Sequence, residues 1–166
     1  RIMREALPQG VCFANHRIYA LVLLVRVDER ERILSPEMRA RVHDYLARVT
    51  QLLVATQHAD GYWDGNWPRV ATADEAAEHK TSGDPKVDRF LATGHALEWW
   101  AMAPEELHPP RHVLASAGQW LVREVEKLTP QQVDEYYTYL SHVGRSLAIW
   151  RKRQPSDVPV TPEAVR

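Results

Sequence analysis

The stretch "LLVATQHADGYWDGNWP", residues 52–68, decides how this chain is read. An apolar, helix-forming run stops at Gln57. Two Asp-Gly pairs and two tryptophans then follow within a dozen residues. Asp before Gly marks a turn, and Gly61 permits the positive-φ backbone that other residues avoid. A glutamine at a helix C-terminus reaches the orphan carbonyls there or the next helix. Gln57, Gly61 and Trp63 therefore read as a clasp that ends one helix and starts the approach to another, with the indole packed over the glutamine amide. Asp60 and Asp64 read as turn residues ahead of carboxylate catalysts. Trp67, in the second half of the loop, is not accounted for by the clasp and stands as a candidate ligand contact.

Helical periodicity extends outward on both sides, and strand alternation is nearly absent. Residues 12–28 are predicted to form a mostly apolar helix, buried on most sides. Ser35 and Pro36 suit an N-cap and first helical position. From there Met38, Val42, Tyr45, Leu46, Val49, Leu52 and Leu53 form one apolar stripe. Residues 70–85 are polar, with at most a short helix around Asp74–His79. A second largely apolar helix is expected over 87–103, ended or kinked by Pro104. An amphipathic helix follows over about 110–128. Thr129 then caps a helix over about 130–153, in which Tyr136, Tyr137 and Tyr139 cannot all share one face. The tail 154–166 reads as extended or disordered.

Apolar and one-sided helices thus alternate. "NHRIYAL" (15–21), "GHALEWW" (94–100) and "GRSLAIW" (144–150) fall at corresponding places in successive hairpins, as do "RVTQLL" (48–53) and "SAGQWL" (116–121). Such a unit must stack on its neighbours to bury both faces. The fold expected is all-α: one domain over 1–153, its helical hairpins arranged as part of an α/α-toroid or an open α-solenoid arc.

Composition narrows the function. In 166 residues, 45% are hydrophobic and the formal net charge is −1, so no broad attraction to nucleic acid or anionic membrane is implied. The most apolar run, residues 18–25, is about half the ~20 residues a membrane span needs and lacks signal-peptide flanks. A soluble chain is expected. The one cysteine, Cys12, excludes an intrachain disulfide framework. The chain opens on Arg1, and a full toroid needs more hairpins than these. We therefore expect the remainder of a longer chain, a homo-oligomer or a protein partner to complete it.

The spacing Leu53, Gln57, Gly61, Trp63 resembles the QW motif of the squalene–hopene cyclase and prenyltransferase-like superfamily, whose fold is an α/α-toroid. The second hairpin keeps Trp120-Leu121 but has Val125 in place of the glutamine. The cyclases' Asp-x-Asp-Asp motif is absent, as are the zinc ligands of protein prenyltransferases. "GHALEWW" resembles the Gly-His-x-x-Glu-Trp stretch of N-acylglucosamine 2-epimerase-like proteins, also α/α-toroids. That resemblance implies His95, Glu98 and Trp99 beside a sugar site, without the epimerases' second histidine motif.

His95 and Glu98, at i and i+3, share a helix face. A carboxylate there orients the imidazole for proton abstraction next to a sugar carbonyl, or the pair is a self-satisfied contact between helices. They offer two metal ligands with no third in view, so no metal and no cofactor are expected. His142 and Arg145 are also at i and i+3, and Arg145 and His16 both align with His95 in the repeat. Arg145 suits a carboxylate or phosphate, or an ion pair between helices. Two functions stay open: a structural or protein-interaction domain, and a sugar-acting enzyme with His95 as base. A terpenoid cyclase is disfavoured.

Overall fold

The computed structural model describes residues 2–4, 7, 12–67 and 83–153. The helix expected around Asp74–His79 and the tail 154–166 lie outside them. All regular structure among the described residues is helical, as expected. The helices are α1 (Asn15–Glu31), α2 (Pro36–Thr56), α3 (Pro85–Met102), α4 (Arg111–Glu126), α5 (Pro130–Glu135) and α6 (Tyr137–Trp150). Short 3-10 turns occupy Ile2–Arg4 and Glu105–Leu107. No described helix is long and apolar enough to cross a membrane.

The caps predicted at Ser35 and Thr129 are present, and Asp84 adds a third. Ser35 Oγ accepts from the Met38 amide at 3.2 Å, with Pro36 in the first turn of α2. Asp84 accepts from the Lys86 amide at the start of α3. Thr129 and Gln132 form a reciprocal capping box on α5.

Two expectations are corrected. Residues 130–153 are two helices, not one. The backbone tightens at Tyr136 (φ −93°, ψ 7°), where the phenol donates to Asp84 Oδ2 at 2.7 Å. Helix α1 is buried along one stripe only: Ile18, Leu21, Val22 and Val25 face inward, whereas Leu23 and Val27 are exposed. Its run of aliphatics hides an i, i+3, i+4, i+7 pattern.

Helix α3 is the centre. Every residue from Phe90 to Trp100 is buried, and α1, α4 and α6 pack around it. Helix α2 packs on α1, so each long hairpin sets a one-sided helix against its partner. Gly94 lets α6 approach: a Cβ there would stand 3.3 Å from the Val143 amide nitrogen and 3.4 Å from the His142 carbonyl carbon. That crossing sets His142 beside His95.

The loop after α2 joins the layers. The Gln57 amide donates both hydrogens, to the Gly61 and Val113 carbonyls, each at 2.9 Å. It thereby ties the end of α2 to the start of α4. Gly61 has φ +106°, and a Cβ there would lie 2.4 Å from the Ser116 carbonyl oxygen. The Trp63 indole donates to the Leu53 carbonyl at 2.8 Å and sits edge-on to Trp100. It thus satisfies a carbonyl in the last turn of α2.

Candidate functional site

Polar side chains from α1, α3 and α6 meet on one side of α3. Glu98 is their hub. Its Oε2 lies 2.9 Å from His95 Nδ1 and 3.5 Å from His142 Nδ1; its Oε1 lies 3.1 Å from Arg145 Nε. The His142 contact is at the outer limit for a hydrogen bond. Arg145 also donates to the Tyr19 hydroxyl at 2.9 Å. The His95 ring stacks at a tilt on His142, centroids 4.0 Å apart, and meets His16 edge-on at 4.9 Å. The cluster runs from core to surface. His95 and Glu98 side chains are 4% exposed, His142 26% and Arg145 57%, and His16 is exposed.

Local sequence explains the placement. His95 and Glu98 lie one turn apart on the buried α3. His142 and Arg145 lie one turn apart on α6, brought close by the Gly94 crossing. His16 and Tyr19 repeat that i, i+3 spacing on α1. Ahead of α1, Cys12, Phe13 and Ala14 have φ of 53°, 55° and 66°. A run of three left-handed residues without glycine is costly. It is held by Asn15, whose side chain and amide both donate to the Cys12 carbonyl, and by Trp67, whose indole donates to the Phe13 carbonyl at 3.1 Å.

Protonation follows from these contacts. Burial pushes the Glu98 carboxyl up, but hydrogen bonds from His142 and His95 and the Arg145 charge outweigh it and hold the group at about 2. Burial pushes the His95 imidazolium below its ordinary value, against the opposing hydrogen bond to Glu98. The pair is therefore a neutral imidazole donating to a carboxylate. An ionised carboxylate only accepts, so Nδ1 carries the proton and Nε2 carries the lone pair. That Nε2 is buried and has no hydrogen-bond partner among the described residues. Burial, then the Glu98 charge, push the Cys12 thiol up.

Of the residues singled out in the sequence, the structure brings His95, Glu98, His142 and Arg145 together. Trp99 is fully buried, as is Trp100, whose indole donates to Thr50. Trp67 is buried and pins the turn before α1. Asp64 pairs with Arg89 at 3.0 Å and His58 at 2.8 Å.

Cys12, His16 and Tyr19 were not placed in a site by sequence. The repeat alignment of His16 with His95 was the signal available. The expectation of only two metal ligands is also corrected. Ligand atoms of Cys12, His16 and His95 lie within 4.8 Å of one another, and so do those of His95, Glu98 and His142. No protein-family model, curated protein or solved structure matches this chain.

Proposed function

We propose that this chain is a helical-hairpin domain of the α/α-toroid type that carries an acid–base centre, with His95 as general base and Glu98 as its orienting carboxylate. The observation that carries the reading is the His95 ring itself: Nδ1 lies 2.9 Å from Glu98 Oε2, and Nε2 has no hydrogen-bond partner among the described residues. A base needs its tautomer fixed and its acceptor atom open to a proton. Arg145 and the Tyr19 hydroxyl, at the solvent end, suit the hydroxyls or ring oxygen of a sugar-like substrate. Nε2 is buried, so a substrate reaches it only if a neighbour moves, and the exposed His16 ring stands edge-on to His95 with centroids 4.9 Å apart. The side-by-side order of α1, α3 and α6, with α2 and α4 as their hairpin partners, supports the toroid reading.

Proton abstraction is measured as exchange of the hydrogen next to the carbonyl of reducing sugars in D2O. General-base catalysis contributes about 10²–10⁴-fold, so His95→Gln removes exchange by at least the lower figure. Exchange absent across aldoses, ketoses and their N-acetylated forms, or unchanged in His95→Gln, rejects the reading.

A structural or interaction role has separate support. Glu98 is paired on three sides, and five of the six tryptophans are buried rather than presented to a ligand. Val133 and Tyr137 on α5–α6, with Leu23 and Val27 on α1, leave apolar surface open. Such faces fit the remainder of a longer chain, a second copy or another protein. Concentration-dependent mass in solution together with no exchange activity selects this reading. A terpenoid cyclase stays disfavoured, because no Asp-x-Asp-Asp is present.

A further inference from the structure

We infer that Cys12, His16 and His95 form a binding site for a thiophilic divalent cation of the zinc class. The inference shares His95, its Glu98 partner and its neighbour His16 with the acid–base reading, and adds the Cys12 thiol, on which its test turns.

Three observations converge. The first is chemical: one thiol and two imidazoles are the donors that zinc takes, and three protein ligands with an open fourth position are the pattern of its catalytic sites. The second is geometric. The three ligand atoms lie within 4.8 Å of one another. Bonds of about 2.0–2.3 Å in a tetrahedron put ligand atoms roughly 3.3–3.7 Å apart. The remaining closure, on the order of 1 Å, falls within rotation of the exposed His16 and the half-buried Cys12. The third is the unpartnered atom. His95 is more than nine-tenths buried, its Nδ1 is committed to Glu98, and its Nε2 has no hydrogen-bond partner among the described residues. A buried polar atom without a partner is costly, and a metal ion satisfies it.

Glu98 completes the arrangement. Metal-bound histidines characteristically donate their other ring N–H to a carboxylate, which fixes the tautomer and raises ligand basicity. The 2.9 Å His95–Glu98 contact is that arrangement. The left-handed turn at Cys12, Phe13 and Ala14, pinned by Trp67, turns Cys12 back toward α3 instead of extending it away. In the other candidate set, His95, Glu98 and His142, the carboxylate is already paired with both imidazoles and with Arg145. We therefore assign the ion to the Cys12 side.

On binding, Cys12 gives its thiol proton to solvent and the thiolate bonds the metal, with no change of redox state. The ion then holds the His95 lone pair. The fourth position would be left to a water or a substrate oxygen, which the ion would polarise. Ion-bound and free-base forms of the site exclude each other.

The test is cobalt binding to the untagged, reduced chain, without substrate. Co2+ stands in for Zn2+ and reports a thiolate ligand by a near-ultraviolet charge-transfer band. One ion per chain is expected, with the band displaced by Zn2+ and absent in Cys12→Ser. His16→Ala changes an exposed side chain and leaves the helical circular dichroism intact; it weakens binding at least tenfold. Glu98→Gln weakens it about 10–100-fold. No band in the wild-type chain, a band that survives Cys12→Ser, or an affinity unchanged by His16→Ala overturns the site. Those results leave sugar exchange by His95 standing, whereas a cobalt band without any exchange retains the metal site and rejects the acid–base reading.

Discussion

Replacing Gly61 by alanine is the most severe single-atom-group change the clasp offers. The added Cβ would lie 2.4 Å from the Ser116 carbonyl oxygen and 2.6 Å from its carbon. Both are backbone atoms of α4, so no side-chain rotation relieves the contact; the loop and the helix must separate. The φ of +106° is itself strained for an L-residue, at about 1–3 kcal/mol. Separation also breaks the two Gln57 hydrogen bonds, to Gly61 and Val113, worth about 0.5–1.5 kcal/mol each. The sum is about 2–6 kcal/mol, a large part of the 5–15 kcal/mol typical of a domain. Urea unfolding followed by circular dichroism measures it. With a slope of about 1–3 kcal/mol per M, the midpoint falls by roughly 1 M or more. Gly118→Ala is the internal control. It sits inside α4 with nothing near its would-be Cβ, so it gains about 0.5–1 kcal/mol from helix propensity. A loss below about 1 kcal/mol for Gly61→Ala refutes the clasp.

Three further outcomes follow from the packing. Glu98→Gln destabilises by about 1–3 kcal/mol in the same urea assay, less than the 3–5 of a fully buried pair, because Arg145 is 57% exposed and rehydrates; Arg145→Ala costs below about 1 kcal/mol, and equal losses for the two contradict the hub role of Glu98. Tyr136 is raised to about 12 by its hydrogen bond to Asp84. Above the unfolded value near 10 the folded state binds more protons than the unfolded state, so stability falls from about pH 10 to 12. Asp84 is lowered by the same bond, so its contribution is lost as pH drops below about 4. Tyr136→Phe removes the Tyr136 share of the alkaline loss, and a wild-type stability flat above pH 10 counts against the bond. Gly94→Ala overpacks the α3–α6 crossing by a few tenths of an ångström, at about 1–3 kcal/mol, less the ~0.5–1 kcal/mol that alanine gains inside a helix; a raised urea midpoint contradicts the close approach.

Local chemistry was legible where neighbours in sequence set it. Ser35 and Thr129 cap helices because a side-chain oxygen lies three residues ahead of an orphan amide. Gln57 and Gly61 were readable for the same reason, although the Trp63 indole satisfies the Leu53 carbonyl instead of covering the glutamine amide. The break at Tyr136 was not legible, since its cause, Asp84, lies 52 residues away. The partial exposure of α1 depends on which neighbours reach it, not on its own aliphatics. His95 and Glu98 were visible as an i, i+3 pair on one helix. Cys12 and Tyr19 join them only through the meeting of three helices and a left-handed turn that contains no glycine, and no residue pattern signals that turn.

Each use of the site, as base or as metal ligand, needs one proton on one nitrogen of His95. Nitrogen-15 NMR of the imidazole in the metal-free chain at neutral pH reads this directly through long-range couplings to the ring hydrogens. The account predicts a neutral ring protonated at Nδ1, with the lone pair on Nε2, and loss of that tautomer preference in Glu98→Gln. A proton on Nε2, or a doubly protonated ring at neutral pH, contradicts it.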